Sequence, residues 1–385
     1  MISLDKLVEV GFTLSQATNL TQFFRKIGYL TVGTNSFVDG YEIPRDYVVV
    51  IDTIDTLKGV FKSDSQEYTD IETILIQKNN PSPNRGRTDR VVVYFATLSS
   101  GETMGDLVDE MISVNANYAQ LLINSKNDND IVNAAAKALA NDRLFVAQTS
   151  SSDVSGKTAS SIAKTMKDLN NSNVLLCYHD TDTECLAGGI ASIMANPNLG
   201  AVGSLYSTVT NVTPKDYIST VNANLDDQNV SYYSMVNPIN GGGVSQYSTP
   251  IFYGGYMING EDAKRRYIRY YLNRVLKARS IDFLKKKLGY EYNSSNVLLA
   301  MLNAVMVTAQ NAGLIRNTDY IDDQEVKGFE LNVLTPAETR LVNEDAYNTQ
   351  TYLVNGYYID SLTGRRVEIN LAIDPSEAEK AQMGF

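Results

Sequence analysis

The stretch RVVVYFATLSSGETMGDLVDEMISVNANYAQLLIN, residues 90–124, places a segment of helical period between two short apolar runs. The runs RVVVYFA and YAQLLIN are almost continuously apolar, which is typical of strands that are buried on both faces of a sheet. Between them Met104, Leu107, Val108 and Met111 lie three or four residues apart, as on one face of a helix. This order of strand, helix and strand predicts a βαβ unit with parallel strands.

The same alternation continues toward the C-terminus. RLFVAQT (residues 143–149) and NVLLCYH (residues 173–179) have the pattern of buried strands. The segments before them have helical spacing, with apolar residues at Ile131, Ala135, Ala138 and Leu139, and then at Ile162, Met166 and Leu169. Residues 90–195 therefore predict a series of βαβ units around a largely parallel sheet.

A smaller α/β region precedes this series and a longer mixed region follows it. Residues 29–32 and 47–52 have strand patterns, and residues 68–77 have a helical one. After residue 200 the composition shifts to Ser, Thr, Tyr, Asn and Gly, which predicts strands joined by loops. Two long helices, at residues 261–288 and 294–312, come before a C-terminal region of strand patterning.

These patterns predict an α/β fold with a mixed, largely parallel βαβ core, a smaller N-terminal α/β region and a C-terminal strand arm. The turn-forming stretch NNPSPNRGRTDR, residues 79–90, indicates a boundary. The predicted division is an N-terminal arm at 1–18, a small α/β domain at 19–89, a βαβ domain at 90–199, a core with two long helices at 200–345, and a C-terminal hairpin arm at 346–385.

Composition restricts the classes of partner. The chain has 385 residues, of which 43% are apolar and 20% charged, as in ordinary globular proteins. Its formal net charge of -11 argues against general binding of nucleic acid or anionic lipid, because both need an excess of Lys and Arg. The first residues carry no signal-peptide pattern, so we expect synthesis as a soluble cytoplasmic protein without membrane insertion.

One segment approaches a nucleotide-binding pattern. In SSSDVSGKT, Gly156, Lys157 and Thr158 match the end of G-x-x-x-x-G-K-[ST], but Ser151 stands where the first glycine is required. A strand precedes the segment and a helix follows it, and Asp180 ends the next strand as a candidate metal-binding carboxylate. The alternative is a plain helix start capped by Ser152 or Ser155.

A second segment, CYHDTDTEC, collects both cysteines and the only histidine of the chain. Cys177 and His179 are two residues apart on a strand, and Asp182 or Cys185 is in reach to complete a zinc site. The spacing matches no common zinc module, and a buried cysteine beside a strand-end histidine is the simpler interpretation. We therefore predict no catalytic residue, no metal site and no cofactor.

Both ends of the chain have strands with one apolar face. Near the N-terminus the alternating apolar residues are Val8, Val10, Phe12 and Leu14, and near the C-terminus they are Val367, Ile369, Leu371 and Ile373. The second group follows QTYLVNGYYID and the turn SLTG, so this region can form a hairpin. Such strands complete their own sheet or pair with the edge of another subunit, and periodicity does not distinguish the two.

The segment DAKRRYIRYYLNRVLKARSIDFLKKK, residues 262–287, is strongly basic in an acidic chain. Ile268, Tyr271, Leu272 and Val275 give it a buried stripe, so the sequence predicts a helix that displays its charge on a surface. Those cations either pair with acidic residues of the same subunit or contact an acidic partner. The candidate contact residues are Lys264, Arg265, Arg269 and Lys277.

Several stretches, in their order along the chain, resemble one family. NPNLGAVGSLYSTVTNVTPKDYISTVNANLDDQNVSYYSMV, residues 196–236, resembles the segment of bacteriophage contractile tail sheath proteins in which a "V-T-P" turn precedes a helix and a "Y-Y" strand. GGYMINGEDAKRRYIRYYLNRVL, residues 254–276, is similar to the family's "G-x-x-I-x-G-x-D" start of a long helix, and NAGLI, residues 311–315, ends the next helix. The chain lacks the long inserted outer domain of larger members.

The resemblance implies a structural subunit of the virion tail that assembles in the host cytoplasm. Subunits would stack as hexameric rings around a tail tube protein, with baseplate and tail terminator proteins as further partners, and contract to drive the tube through the host envelope. Terminal arms would exchange strands, which gives the two terminal patterns a role, and the basic helix would contact the tube. A sheath of a phage-derived injection particle or type VI secretion system is equally compatible, and a nucleotide hydrolase is the alternative of another class.

Overall fold

The computed structural model describes residues 23–32, 36–41, 47–77, 90–195, 207–236, 249–321 and 324–361. The strands in these ranges are β1 (Lys26–Thr31), β2 (Val48–Ile51), β3 (Arg90–Phe95), β4 (Gln120–Ile123), β5 (Leu144–Thr149), β6 (Val174–Tyr178), β7 (Ser231–Val236), β8 (Thr249–Tyr253), β9 (Thr318–Ile321), β10 (Gln324–Lys327), β11 (Phe329–Val333) and β12 (Val354–Tyr358). The helices are α1 (Ile54–Val60), α2 (Gln66–Ile76), α3 (Met104–Val114), α4 (Asp128–Ala140), α5 (Ser152–Ser155), α6 (Ile162–Asp168), α7 (Leu186–Met194), α8 (Ser219–Asp227), α9 (Ala263–Leu284), α10 (Tyr292–Asn311), α11 (Pro336–Val342) and α12 (Glu344–Asn348).

Eight strands form one mixed sheet in the order β2-β3-β1-β4-β5-β6-β7-β8. The six inner strands are parallel, and the edge strands β2 and β8 run antiparallel to their neighbours. β1 lies between β3 and β4, so that Ile27 is opposite Val91 on one side and Gln120 on the other. The predicted fold class, with its largely parallel βαβ core, is confirmed.

The sheet separates two apolar layers because successive side chains of a strand point to opposite faces. In β3, Val91 and Val93 pack with α1, α2, α7 and α9, whereas Val92 and Tyr94 pack with α3, α4, α6 and α8. Burial on both faces explains why the inner strands read as continuous apolar runs. Leu139 and Leu169, predicted in buried helical stripes, are instead exposed, because each lies at the C-terminal end of its helix.

The C-terminal part forms a smaller unit. β9 and β10 form a hairpin, β11 pairs antiparallel with β12, and the ends of α9 and α10 pack with β11 around Phe283, Leu298, Leu302 and Val333. The sequence predicts only strands here, but residues 336–348 form α11 and α12. The signal for α11 was present in Thr335-Pro336-Ala337-Glu338, which forms a capping box with proline in the first turn.

The predicted domain boundary at residues 89/90 remains a prediction, and strands from both sides of it share the large sheet. Within the described ranges, no helix combines the length and the apolar character that a membrane crossing requires.

Candidate functional site

The SGKT segment ends a helix and does not open one. α5 finishes at Ser155, and Lys157 adopts a left-handed backbone conformation with φ of 52°. The backbone N–H groups of Gly156, Lys157 and Thr158 donate to carbonyl groups within the same turn, at 2.8, 3.2 and 2.9 Å. A phosphate-binding loop must leave such groups free for the ligand. The predicted helix start is therefore wrong, and the turn is closed by its own hydrogen bonds.

Side chains of this turn hold α8 against it. The Lys157 ammonium lies 2.6 Å from the Asp227 carboxylate. The buried Gln228 amide donates to the Val154 carbonyl at 2.7 Å and accepts from the Ser161 hydroxyl at 2.6 Å. The lysine of the motif thus has a structural contact within the chain.

The histidine segment also has a structural role. His179 is completely buried, and its Nε2 lies 2.8 Å from Oε2 of Glu184. Glu184 accepts two further hydrogen bonds, from the backbone and the hydroxyl of Thr213, both at 2.7 Å. Burial lowers the pKa of His179, and the bond to Glu184 opposes that change. This pair joins the turn after β6 to the connection that precedes α8.

The remaining groups of CYHDTDTEC do not assemble into a metal site. Cys177 is buried within β6, and Cys185 is buried at the start of α7. Asp180 pairs with Lys215 at 3.0 Å. Across the residues that the structure describes, no group of three or more His, Cys, Asp or Glu side chains could hold a metal ion.

Open α/β sheets usually bind ligands where the strand order reverses, at the carboxyl ends of the strands. Here that point lies between β1 and β4. Two carboxylates of α2 bind β1 beside it: Glu67 accepts from the Thr31 hydroxyl at 2.6 Å, and Asp70 accepts from the Tyr29 hydroxyl at 2.7 Å. Burial raises the pKa of Asp70 above its usual value. Sequence analysis missed these residues, although Glu67 and Asp70 fall on the face of α2 that carries Ile71 and Ile74.

The four predicted tube-contact residues lie on α9, in two different environments. Lys277 is completely buried and Lys264 is 9% exposed. Arg265 and Arg269 have half-exposed side chains and pair with Asp360 at 2.5 Å and Glu261 at 2.9 Å. The prediction that the helix displays its charge on a surface is therefore wrong for Lys264 and Lys277.

The inward charge of α9 anchors the helix beneath the large sheet. Arg266, Tyr270 and Arg274 recur every four residues and therefore share one face. The Arg274 guanidinium and the Tyr270 hydroxyl donate to the Asp142 carbonyl, at 2.9 and 3.1 Å, and Arg266 donates to Oδ1 of Asn173. These acceptors lie in the turns just before β5 and β6, so arginines of this face bind polar groups at the amino ends of the strands.

All eight strand-exchange candidates lie outside the described residues and stay predictions: Val8, Val10, Phe12, Leu14, Val367, Ile369, Leu371 and Ile373. The structure does describe a possible acceptor. Among the described residues β11 and β12 pair only with each other, and Val354 and Tyr357 of β12 are exposed. Of the fifteen exposed large apolar side chains in the described ranges, nine lie from Leu284 to Tyr357.

Two solved assemblies contain chains with the same fold. A chain of the anti-feeding prophage baseplate is 9% identical, with a TM-score of 0.62 over 95% of this chain and 99% of that chain. A chain of the anti-feeding prophage helical sheath in its contracted state is 10% identical, with a TM-score of 0.57 over 94% and 99%. No protein-family model matches the sequence, and no curated protein matches it. The resemblance to contractile sheath proteins is thus confirmed at the level of the fold.

Proposed function

We propose that this chain is the structural subunit of a contractile sheath, which polymerises around an inner tube and contracts to drive that tube through a cell envelope. One observation carries the proposal: the fold matches a subunit of a contracted helical sheath along nearly the whole length of both chains. The proposal covers the tail of a bacteriophage and a phage-derived injection particle alike. Its partners are further copies in stacked hexameric rings, the tube protein, the baseplate and the tail terminator.

The surface of the C-terminal part supports self-association. Nine of the fifteen exposed large apolar side chains in the described ranges lie between residues 284 and 357, where they add apolar area for contacts with another copy. Within the described residues β11 and β12 pair only with each other, and an open strand edge is a template for pairing with another chain. We therefore keep the terminal strands, residues 8–14 and 367–373, as candidates for exchange between neighbouring subunits.

The proposal requires no nucleotide hydrolysis. The backbone N–H groups of the SGKT turn donate to carbonyl groups of the same turn, and Glu67 and Asp70 of α2 bind hydroxyl groups of β1, beside the point where an α/β sheet usually binds a ligand. On this proposal contraction draws on the free energy of subunit packing, and the chain is not an enzyme.

Electron microscopy of the purified full-length chain tests the proposal. We expect hollow, transversely striated tubes, formed either spontaneously or on addition of the tube protein. A chain that stays monomeric at high protein concentration, both alone and with the tube protein, would contradict the proposed sheath function.

A further inference from the structure

The loops that follow β4, β5 and β6 lie together at the carboxyl ends of these parallel strands. The Lys126 ammonium, after β4, donates to the carbonyl group of Asp182, after β6. The connection that precedes α8 joins them, because Lys215 pairs with Asp180 at 3.0 Å. We name this continuous surface the acidic face, and its residues are 124–130, 150–153, 179–184 and 213–218.

The acidic face carries more negative charge than its own cations balance. Seven carboxylates and two lysines leave it a formal net charge of -5 with His179 neutral. Three of the aspartates lie in the first turns of α4 and α5, where the helix dipole favours them. Asp182 and Asp216 lie outside the helices, are exposed, and form no ion pair with another described residue. Ile218, beside them on the same face, is 70% exposed. Helix starts therefore explain only part of this surface.

The connection between α9 and α10 is basic, and we name residues 284–292 the lysine turn. The three lysines at 285–287 are all exposed, and Glu291 is the only acidic residue of the turn. None of these lysines forms an ion pair with another described residue. Apolar side chains beside the charges are exposed as well, namely Leu284, Leu288 and Tyr292. Apolar contact area rimmed by charge is the usual anatomy of a protein interface.

The two surfaces are attached to opposite ends of the strands. α9 is fixed at the amino ends, because Arg274 donates to the Asp142 carbonyl just before β5. From there about 15 Å of helix leads to the lysine turn, and Phe283 near its end packs with α10 and β11, not with the large sheet. The acidic face lies at the other end of β5 and β6, and no ion pair joins it to the lysine turn within the described part of the chain.

We infer that the acidic face of one copy docks on the lysine turn of the next copy. The lysines would face Asp182 and Asp216, and Ile218 would pack against the apolar side chains of the lysine turn. Complementary charges on two surfaces steer the encounter and fix its register. Two different surfaces that meet head to tail extend a polymer. The inference rests on the proposed sheath function, because it supplies one contact of that polymer.

Charge reversal on either side tests the contact. In the variant Lys285→Glu, Lys286→Glu, Lys287→Glu we expect the critical concentration for polymerisation to rise at least about tenfold, with an unchanged melting temperature. We expect a rise in the same direction in the variant Asp182→Lys, Asp216→Lys. The chain that carries all five substitutions should recover part of the loss, since the charges are then exchanged between the two surfaces.

A matched control separates this contact from an effect of net charge. The variant Lys58→Glu, Lys62→Glu, Lys164→Glu changes the net charge as much as the first variant does, on other exposed lysines, and should leave polymerisation unchanged. Polymerisation of either reversed variant at the wild-type concentration would overturn the inference. A combined chain no better than the single-sided variants would also overturn it, because the two surfaces would then act separately.

Cross-linking distinguishes this inference from the proposed function. Isotopically labelled and unlabelled wild-type chains are mixed, assembled and treated with a carbodiimide, which joins an ammonium to a carboxylate in contact with it. We expect mass spectrometry to find residues 285–287 of one chain linked to carboxylates of the acidic face of another. Striated tubes without such links would overturn the docking contact and leave the sheath function standing, whereas a wild-type chain that forms no tubes would overturn both.

Discussion

At the residue scale, Lys157 matches the lysine of a nucleotide-binding motif but forms an ion pair within the chain. Its ammonium pairs with Asp227, and both side chains remain about half exposed, so the ion pair is screened by water. We predict that Lys157→Ala keeps its fold and its assembly, with little change in melting temperature. Neither wild type nor variant hydrolyses ATP or GTP, as a phosphate-release assay will show. Turnover in the wild type that the substitution abolishes would overturn the structural interpretation.

Asp70 gives a prediction about pH. Burial raises the pKa of this carboxyl, and the effects of Lys126 and of the hydrogen bonds from Tyr29 and Gln66 oppose the rise. A raised pKa means that the folded state binds the proton more tightly, so the contribution of Asp70 to stability is present below the unfolded pKa and lost as pH rises through the folded pKa. We expect Asp70→Asn to become more stable relative to wild type as pH rises, by about 1.4 kcal/mol per unit of pKa displacement.

Urea unfolding of both proteins between pH 4 and pH 8 measures this difference. Tyr29→Phe is the matched control: it removes a hydrogen bond that lowers the pKa of Asp70, so the loss of stability should move to higher pH. A difference in unfolding free energy between Asp70→Asn and wild type that stays constant with pH would show that Asp70 has its ordinary pKa.

Arg274 is a buried cation of α9 with partners on several sides. Its guanidinium lies 4.7 Å from the ring centroids of Phe23 and Tyr270 and 3.1 Å from Oδ2 of Asp142. Removal of one partner of a buried pair leaves the other charge poorly compensated. We predict that Arg274→Ala lowers the unfolding free energy by about 3 kcal/mol. Arg279→Ala on the same helix, in an exposed pair with Asp282, should have little effect. Thermal unfolding measures both variants. An equal loss of unfolding free energy from Arg274→Ala and Arg279→Ala would contradict the anchoring role of Arg274.

The orientation of single side chains was the least predictable property. Arg266 and Arg274 look in sequence like surface charges, because their spacing is that of any helical face. What buries them is the set of carbonyl and carboxylate groups of Asp142, which lies more than 120 residues away along the chain. Tertiary acceptors of this kind leave no local signal, whereas the apolar spacing of Met104, Leu107, Val108 and Met111 does, and all four are buried as predicted.

At the element scale, apolar runs located β3 to β6 well, because strands buried on both faces must be apolar throughout. β1 begins three residues before the predicted range 29–32, and β2 is a half-exposed edge strand. The helices were located less completely. α11 and α12 have almost no buried apolar residue of their own, with Thr339 and Ala346 as their buried positions, so they lack the periodicity that marks α3. Caps, not periodicity, were the available signal there.

The exposed face of α9 carries the element-scale prediction. Arg265 and Arg269 remain candidates for an electrostatic contact with an acidic tube, since their side chains are half exposed although paired within the chain. We predict that Arg265→Glu with Arg269→Glu reduces tube-templated assembly and that wild-type assembly weakens from 0.1 M to 1 M salt, as the Debye length falls from about 10 Å to about 3 Å. Cosedimentation with the tube protein measures both. Lys58→Glu with Lys62→Glu is the control, and unchanged cosedimentation of the arginine variant would place the tube contact elsewhere.

At the scale of the whole molecule, the sequence predicts a parallel sheet but not its strand order. Every inner strand has apolar residues on both faces, so the residue pattern of a strand does not indicate its neighbours. The position of β1 between β3 and β4 was therefore not predictable from these patterns. The connections decide that order, through the packing of α1 and α2 on one face and α3 on the other. The exposure of the apolar side chains between residues 284 and 357 was also not predictable, because no sequence pattern distinguishes an exposed leucine from a buried one.

The last prediction concerns the C-terminal segment as a link between molecules. Deletion of residues 363–385 keeps Ser361, whose backbone N–H donates to the Leu314 carbonyl, together with both layers of the large sheet. If Val367, Ile369, Leu371 and Ile373 pair with a neighbour, each buried side chain contributes roughly 1.5–3 kcal/mol to that contact before ordering costs. We therefore predict a soluble, folded monomer that no longer polymerises, as measured by thermal unfolding and size-exclusion chromatography. The full-length variant with these four residues changed to Asn should behave alike, which controls for chain length. A lowered melting transition with aggregation would mean that the strand completes its own subunit, and polymers that form as before would mean that it links nothing.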